Sequence, residues 1–260
     1  MFFGLFNKKI RKPKRDYQFL TWELEKEKQI LISSLATNGI RFLINKMSSE
    51  DYYSELIAER RKIDMSVSSD DRVSVYAYMQ SGKLNSPADK EELLQLLSDP
   101  EYADMKRYIY CCLSSLCSNT NDLELFNFLI EKIQKEEDDE RIVVSILSRI
   151  KDVKKDSNCN IEPIKKLVSE GTYHVSKAAM MALSFTEDAE VEDILLYEFK
   201  IADKHMQGMI CNPLGTVGTI KSIRALKELY KKTRDPFLRS QIEITIHKIE
   251  RREKKLPAKN

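Results

Sequence analysis

Glycine and proline are scarce in this sequence, seven of each among 260 residues. All-β folds need those residues for their many tight turns, so their scarcity argues against a sandwich or barrel. The seven glycines never approach a G-x-G-x-x-G or G-x-x-x-x-G-K-[ST] loop, which removes the usual phosphate cradles. No G-x-S-x-G elbow occurs either. Three histidines, His174, His205 and His247, form no H-x-x-x-H pair on a helix face. Five cysteines, Cys111, Cys112, Cys117, Cys159 and Cys211, are odd in number and contain no C-x-x-C pair. They read as reduced thiols of a cytoplasmic protein and not as a disulfide framework. No apolar run reaches the roughly 20 residues of a spanning helix. The chain is therefore expected to be no enzyme, with no catalytic residues, no metal and no cofactor.

Hydrophobic residues make up 42% of the chain and charged residues 32%. Abundant Leu, Ile, Lys and Glu with so few breakers point to helices with a charged surface. The net charge of +2 hides a strong segregation. Residues 1–15 hold six cations and no acid. Residues 86–190 hold thirteen cations against twenty-one acids, a net of −8, and residues 191–260 return to +6. At the start, Phe2, Phe3, Leu5 and Phe6 precede Lys8, Lys9 and further cations. A secretory leader has the reverse order. Phe2, Phe3, Phe6, Lys8 and Lys9 suit a weak contact with an anionic membrane surface, and otherwise a basic tail.

The clearest repeat unit is Lys221 to Ile249. Ile223, Leu226, Leu229 and Tyr230 recur at helical spacing and form a first apolar stripe. Asp235-Pro236 then stops one helix and starts the next, as an N-cap followed by proline at the first helical position. Leu238, Ile242, Ile246 and Ile249 form the second stripe. Placing the other second helices in register on Ile246 gives Leu214, Leu183, Leu147 and Leu113, at separations of 32, 31, 36 and 34 residues. Such spacing belongs to helical-hairpin repeats. The Ile242 place is then taken by Ile210, Ala179, Val143 and Ile109. The Asp235 place is taken by Asp203, Thr172, Glu136 and Tyr102.

The sequence Asp235-Pro236-x-x-Arg239 with Ile242, Ile246 and Ile249 resembles the HEAT-like repeat, including the variety named after phycobilin lyases. The preceding stretch Leu214 to Gly218 is similar to that family's linker between repeats. The resemblance implies an all-α fold: a right-handed α-α superhelix, or solenoid, of about five to six hairpins. An N-terminal helical cap is expected to close it, since solenoids need atypical end units.

First helices are expected near 89–97, 121–134, 162–168 and 190–199. Upstream, 71–84 reads as a further second helix with 51–63 as its partner. Residues 17–35 and 41–47 read as cap helices, broken at Thr37-Asn38-Gly39. The expected organisation is a basic tail at 1–15, a cap with one degenerate repeat at 16–85, repeats at 86–254 and a tail at 255–260. The acidic run Glu136 to Glu140 reads as a helix N-terminus, where carboxylates offset the positive dipole end.

The favoured function is a scaffold that binds another protein in the concave groove of the stack. Helical phase assigns Arg107, Tyr110, Arg141, Lys177, Met181, Asn212, Glu243 and His247 to that groove. Two alternatives follow. HEAT-like DNA glycosylases for alkylated bases share this fold, and Arg107, Tyr110, Arg141, Arg149, Lys177 and Lys248 would then meet the nucleic acid. The acidic middle of the chain argues against it, because backbone binding needs clustered cations. The other alternative is a peripheral membrane adaptor acting through the N-terminal segment.

Overall fold

The computed structural model describes residues 26, 29–30, 33–34, 37–50, 72–136 and 139–254. The expectations for 1–15, 51–63 and 255–260, including the membrane contact, lie outside the described residues, as does most of 17–35. Among the described residues the fold is all-α. None of these helices is long and apolar enough to cross a membrane.

The chain divides into two units, 1–77 and 78–260. In the first, helix α1 (Gly39–Met47) buries Ile40, Leu43, Ile44 and Met47. That is the i, i+3, i+4, i+7 pattern of a one-sided helix. Gly39 adopts φ 80°, the left-handed conformation expected of a helix stop. Helix α2 (Val73–Ser81) spans the division.

Among the described residues of the second unit there are five helical hairpins. Helix α3 (Pro87–Leu96) leads through a 3-10 turn, Pro100–Met105, into α4 (Lys106–Thr120). Then come α5 (Leu123–Lys135) with α6 (Glu140–Ile150), and α7 (Glu162–Glu170) with α8 (Tyr173–Ala182). Helix α9 (Glu190–Ile201) pairs with α10 (Lys204–Val217), and α11 (Ile220–Lys232) with α12 (Pro236–Glu253). Each second helix packs on the second helices before and after it, from α4 through α6, α8 and α10 to α12.

Burial follows from these neighbours. Helix α6 touches α4, α5 and α8. Ile142, Val143, Ile146, Leu147 and Ile150 are all buried, a wide apolar face for three partners. At the register positions read from sequence, Leu113, Leu147, Leu183 and Leu214 are fully buried, and so are Ile109, Val143, Ala179, Ile210 and Ile242. Each such leucine, isoleucine or valine contributes about 1.5–3 kcal/mol by leaving water. The last helix departs from the pattern. Ile246 is half-buried and Thr245 takes the inner position, its hydroxyl donating to the Cys211 carbonyl at 3.0 Å.

Side-chain caps stop and start the helices largely where the sequence implied. Asp235 accepts from the Leu238 amide, Asp203 from Met206 and Thr172 from Val175. Helix α6 is capped by Asp139, while Glu136 turns to Lys106 and the Tyr110 hydroxyl. The expected linker at Leu214 to Gly218 is a correction: α10 continues through Pro213 to Val217 and stops at Gly218. A Cβ on Gly218 would lie 2.5 Å from the Leu214 carbonyl oxygen and 2.7 Å from the Ser222 hydroxyl. Gly171, between α7 and α8, is equally crowded, with the Leu167 oxygen at 2.6 Å.

Hairpins are also tied through the loops that follow the second helices. Asn119 donates to the carbonyls of Gly82 and Leu84. The Lys154 amide donates to Asn121 Oδ1 at 2.7 Å, and the Phe185 amide to Thr216 Oγ1 at 3.0 Å. Arg252 donates to the carbonyls of Gly215, Thr216 and Gly218. Most of these bonds span one hairpin repeat in sequence. On the first helices, Glu192 of α9 plays the matching part for α11. Its carboxylate accepts from the amides of Thr219 and Ser222 and from both their hydroxyls.

Glu192 is buried, and truncation would strand several donors at the start of α11. Glu192→Ala is expected to destabilise the protein by about 2–3 kcal/mol, read as a lower denaturant midpoint. A midpoint equal to that of the unaltered protein would show that water replaces the carboxylate at no cost.

Candidate functional site

Two adjoining cavities mark one face of the second-helix layer. The first, of about 480 Å³, is lined by Tyr78, Arg107, Cys111, Glu140, Arg141, Val144, Ser145, Ser148, Arg149 and His174. The second, of about 340 Å³, is lined by Val144, Ser148, Lys151, His174, Lys177, Ala178, Met181 and Met209. Shared walls at Val144, Ser148 and His174 make them parts of one groove across α4, α6, α8 and α10.

Arg107, Arg141 and Lys177 occupy the same register position in successive second helices, 34 and 36 residues apart. The stack therefore lines them up. With Arg149 and Lys151 they give the groove five cations, against the one carboxylate of Glu140. None of the five forms a salt bridge within the described residues. Among the described acids of residues 86–190, Glu140 alone lines either cavity. Net charge along the chain could not reveal that, because alternate helix faces cancel in the sum.

Arg149 is the best-held of the cations. Its Nη1 donates to Ser115 Oγ at 3.0 Å and its Nη2 reaches the Tyr78 carbonyl at 3.5 Å. The Tyr78 hydroxyl is buried and has no hydrogen-bond partner among the described residues. Burial pushes its pKa up to about 12, against the opposing pull of Arg107 and Arg149. The Cys111 thiol beside it is also raised by burial, which keeps it protonated and a poor nucleophile.

Four of the eight groove residues expected from sequence line this groove: Arg107, Arg141, Lys177 and Met181. Tyr110 does not. It is 2% exposed and its hydroxyl donates to Glu136 at 3.4 Å, because α4 turns that face toward the α5–α6 connection. Glu243 accepts from Tyr230 of the first helix α11, so it faces the end of the stack. His247 is exposed and lies 3.9 Å from Glu250. Asn212 is exposed, with Lys248 at 3.5 Å. Sequence reasoning did not assign Ser145, Ser148, Lys151 and His174 to the groove. Their phase relative to Leu147 and Leu183 carries that signal.

Beyond Met181 and Met209 the register positions include two exposed apolar side chains. In the register that equates Leu183 with Ile246, Phe237 corresponds to His174 and Ile244 to Met181. Both are substantially exposed, 63% and 47%. The Phe237 ring lies over Gly208 of α10, 3.3 Å from where a Cβ would stand.

Two other polar clusters have internal explanations. The carboxylates of Glu162, Asp188 and Glu190 converge within 4.8 Å, as metal ligands would. The Lys165 ammonium sits among them, 2.6–2.7 Å from each. Desolvation works to lower its pKa, but the three hydrogen bonds outweigh that and raise it. The ammonium stands where a metal ion would and offsets one of the three negative charges. Lys155 is 1% exposed, in the loop after α6. Its ammonium donates to the carbonyls of Val153 and Ser184 at 2.7 and 2.8 Å, and lies 5.8 Å from the Phe126 ring centre.

No protein-family model matches the chain, and a search of the curated proteins finds no match.

Lys155 makes stability depend on pH. Burial lowers its pKa from 10.5 to about 8. Between those values the unfolded chain binds a proton that the folded chain does not, so this contribution rises with pH and its penalty is complete below 8. The buried thiols act oppositely above pH 9, since their raised pKa values make the unfolded chain lose protons first. Comparison with Lys155→Met isolates the amine. From pH 7 to 10.5 the unaltered protein is expected to gain about 3 kcal/mol relative to the variant in chemical denaturation. A difference that stays flat over that range would show that the amine keeps its ordinary pKa.

Proposed function

We propose that this chain is a HEAT-like α-solenoid, a right-handed stack of hairpins, and that it works as a scaffold whose groove holds an extended acidic segment of another protein. The observation that carries the reading is the row of Arg107, Arg141 and Lys177 with Arg149 and Lys151, without a salt bridge among the described residues and lining one groove. The packing of each second helix on the next supports the solenoid reading. It gives a long face with repeated positions, suited to an elongated ligand. Complementary charge steers such a ligand and sets its register. Beyond the cations, Met181, Met209, Phe237 and Ile244 offer apolar contact. The segment that fits runs acidic over α4 to α8 and hydrophobic over α10 to α12.

A second reading, binding of nucleic acid, gains support from the same arginines, since guanidinium groups suit phosphate. The exposed apolar side chains Phe237 and Ile244 favour a peptide instead, because they offer a phosphodiester backbone nothing to pair with.

The test is an array of twelve-residue peptides, acidic in their first half and leucine-rich in their second, with charge-reversed versions alongside. Binding of the acidic set is expected. Arg141→Glu with Lys177→Glu is expected to weaken it about tenfold in fluorescence anisotropy. Lys200→Glu with Lys231→Glu, on first helices, should leave it unchanged. Equal losses in both double variants would remove the groove from the mechanism. Tighter binding of a twelve-nucleotide single strand or duplex, lost on the groove reversal, would favour the second reading.

A further inference from the structure

The cavity between α4, α6 and α8 is more specialised than the groove around it. Three of its side chains are arginines, Arg107, Arg141 and Arg149, contributed by two neighbouring helices. Ser145, Ser148 and His174 add neutral or titratable donors to the same wall. A carboxylate-binding surface can work with lysines alone, as point charges. Convergent guanidinium groups instead suit a group with several oxygens, each able to accept two donors.

Tyr78 supplies an independent indication. Its hydroxyl is the one buried side-chain polar atom without a hydrogen-bond partner among the described residues, and Tyr78 is one of the residues that line this cavity. An orphaned buried hydroxyl is costly, and natural structures rarely keep one without a use. Burial holds its pKa near 12, so it remains a donor at neutral pH. Arg149 is fixed in place by Ser115 and the Tyr78 carbonyl, so one guanidinium is oriented before anything binds. Glu140 also lines the cavity. Three guanidinium groups exceed its single charge, and the remaining cationic charge matches a dianion.

We propose that this cavity is a phosphate pocket that receives a phosphorylated serine or threonine within the acidic segment held by the groove. The proposal rests on the groove reading for its partner class and adds the chemistry that would regulate it. A phosphoserine carries close to two negative charges at neutral pH and three strong acceptor oxygens. Arg107 and Arg141, both exposed, would close on the phosphoryl group, Arg149 would meet it in a fixed orientation, and the Tyr78 hydroxyl would gain an acceptor. Phosphorylation of the partner would then switch binding on.

The test uses the full chain and three degenerate acidic peptide pools that differ at one central position: phosphoserine, serine or glutamate. The phosphoserine pool is expected to bind about tenfold tighter than the serine pool, with glutamate between them. Arg107→Gln with Arg141→Gln should abolish that preference. Circular dichroism and the denaturant midpoint should be unchanged, since both residues are exposed. Tyr78→Phe, which removes only the hydroxyl, should reduce the preference several-fold without loss of fold. Lys177→Gln should weaken all three pools alike and keep the preference.

Acidic peptides that bind in a groove-dependent way with no gain from phosphoserine would overturn the phosphate pocket and leave the groove reading intact. If no peptide binds, O-phosphoserine titrated against the protein and followed by phosphorus NMR decides the pocket separately. Broadening lost in the Arg107→Gln, Arg141→Gln variant supports it, and no broadening overturns it. Preferential retention of single-stranded RNA over the phosphoserine pool would also overturn the proposal.

Discussion

The loops after the second helices impose the constraint on which the rest of the structure depends. A chain that turns back on itself many times exposes main-chain amides and carbonyls at every turn, and stacking would bury many of them. Here the next hairpin supplies the missing partners. Asn119, Asn121, Thr216 and Arg252 each bond the main chain of a neighbouring turn. Lys155 does so with both main chain and side chain. Its amide donates to the Phe185 carbonyl, its carbonyl accepts from Glu187, and its ammonium caps Ser184. Among the described residues, the two non-glycine residues at positive φ, Asn121 at 52° and Phe185 at 56°, both lie in this seam. An aromatic residue in that conformation is uncommon, and the surrounding bonds hold it there.

The seam fixes the spacing of the second helices, and that spacing makes the groove chemical. Arg107, Arg141 and Lys177 are remote in sequence. They line one face because each sits six residues before a buried leucine: Leu113, Leu147 and Leu183. Core register and groove register are therefore a single property. A slip of one residue in any second helix would break both the apolar stripe and the row of cations.

This coupling explains what the sequence made legible. Apolar periodicity located the helices because every second helix is buried on a broad face. Breakers and caps located the joints because Asp203, Thr172 and Asp235 do their work locally. The groove was half legible. Phase alone placed Arg107, Arg141, Lys177 and Met181, but it could not show that α4 rotates Tyr110 inward or that α12, at the end of the stack, offers Glu243 to Tyr230. The charge of the groove was misleading in sequence, since among the described acids of that segment only Glu140 lines it. The seam was invisible, because its partners are main-chain atoms about one repeat away and leave no residue pattern.

That last point bears on how such a chain can change over time. A side chain that grips a neighbour's backbone places no demand on the neighbour's identity. Asn121 holds residue 154 whatever its side chain is, and Arg252 holds three carbonyls at 215, 216 and 218 in the same way. Paired side-chain ladders would force adjacent repeats to alter together. Fastening to the main chain lets each hairpin vary by itself, provided its turn keeps the same path. Repeats that retain an apolar skeleton and little else in common are the expected outcome of that freedom.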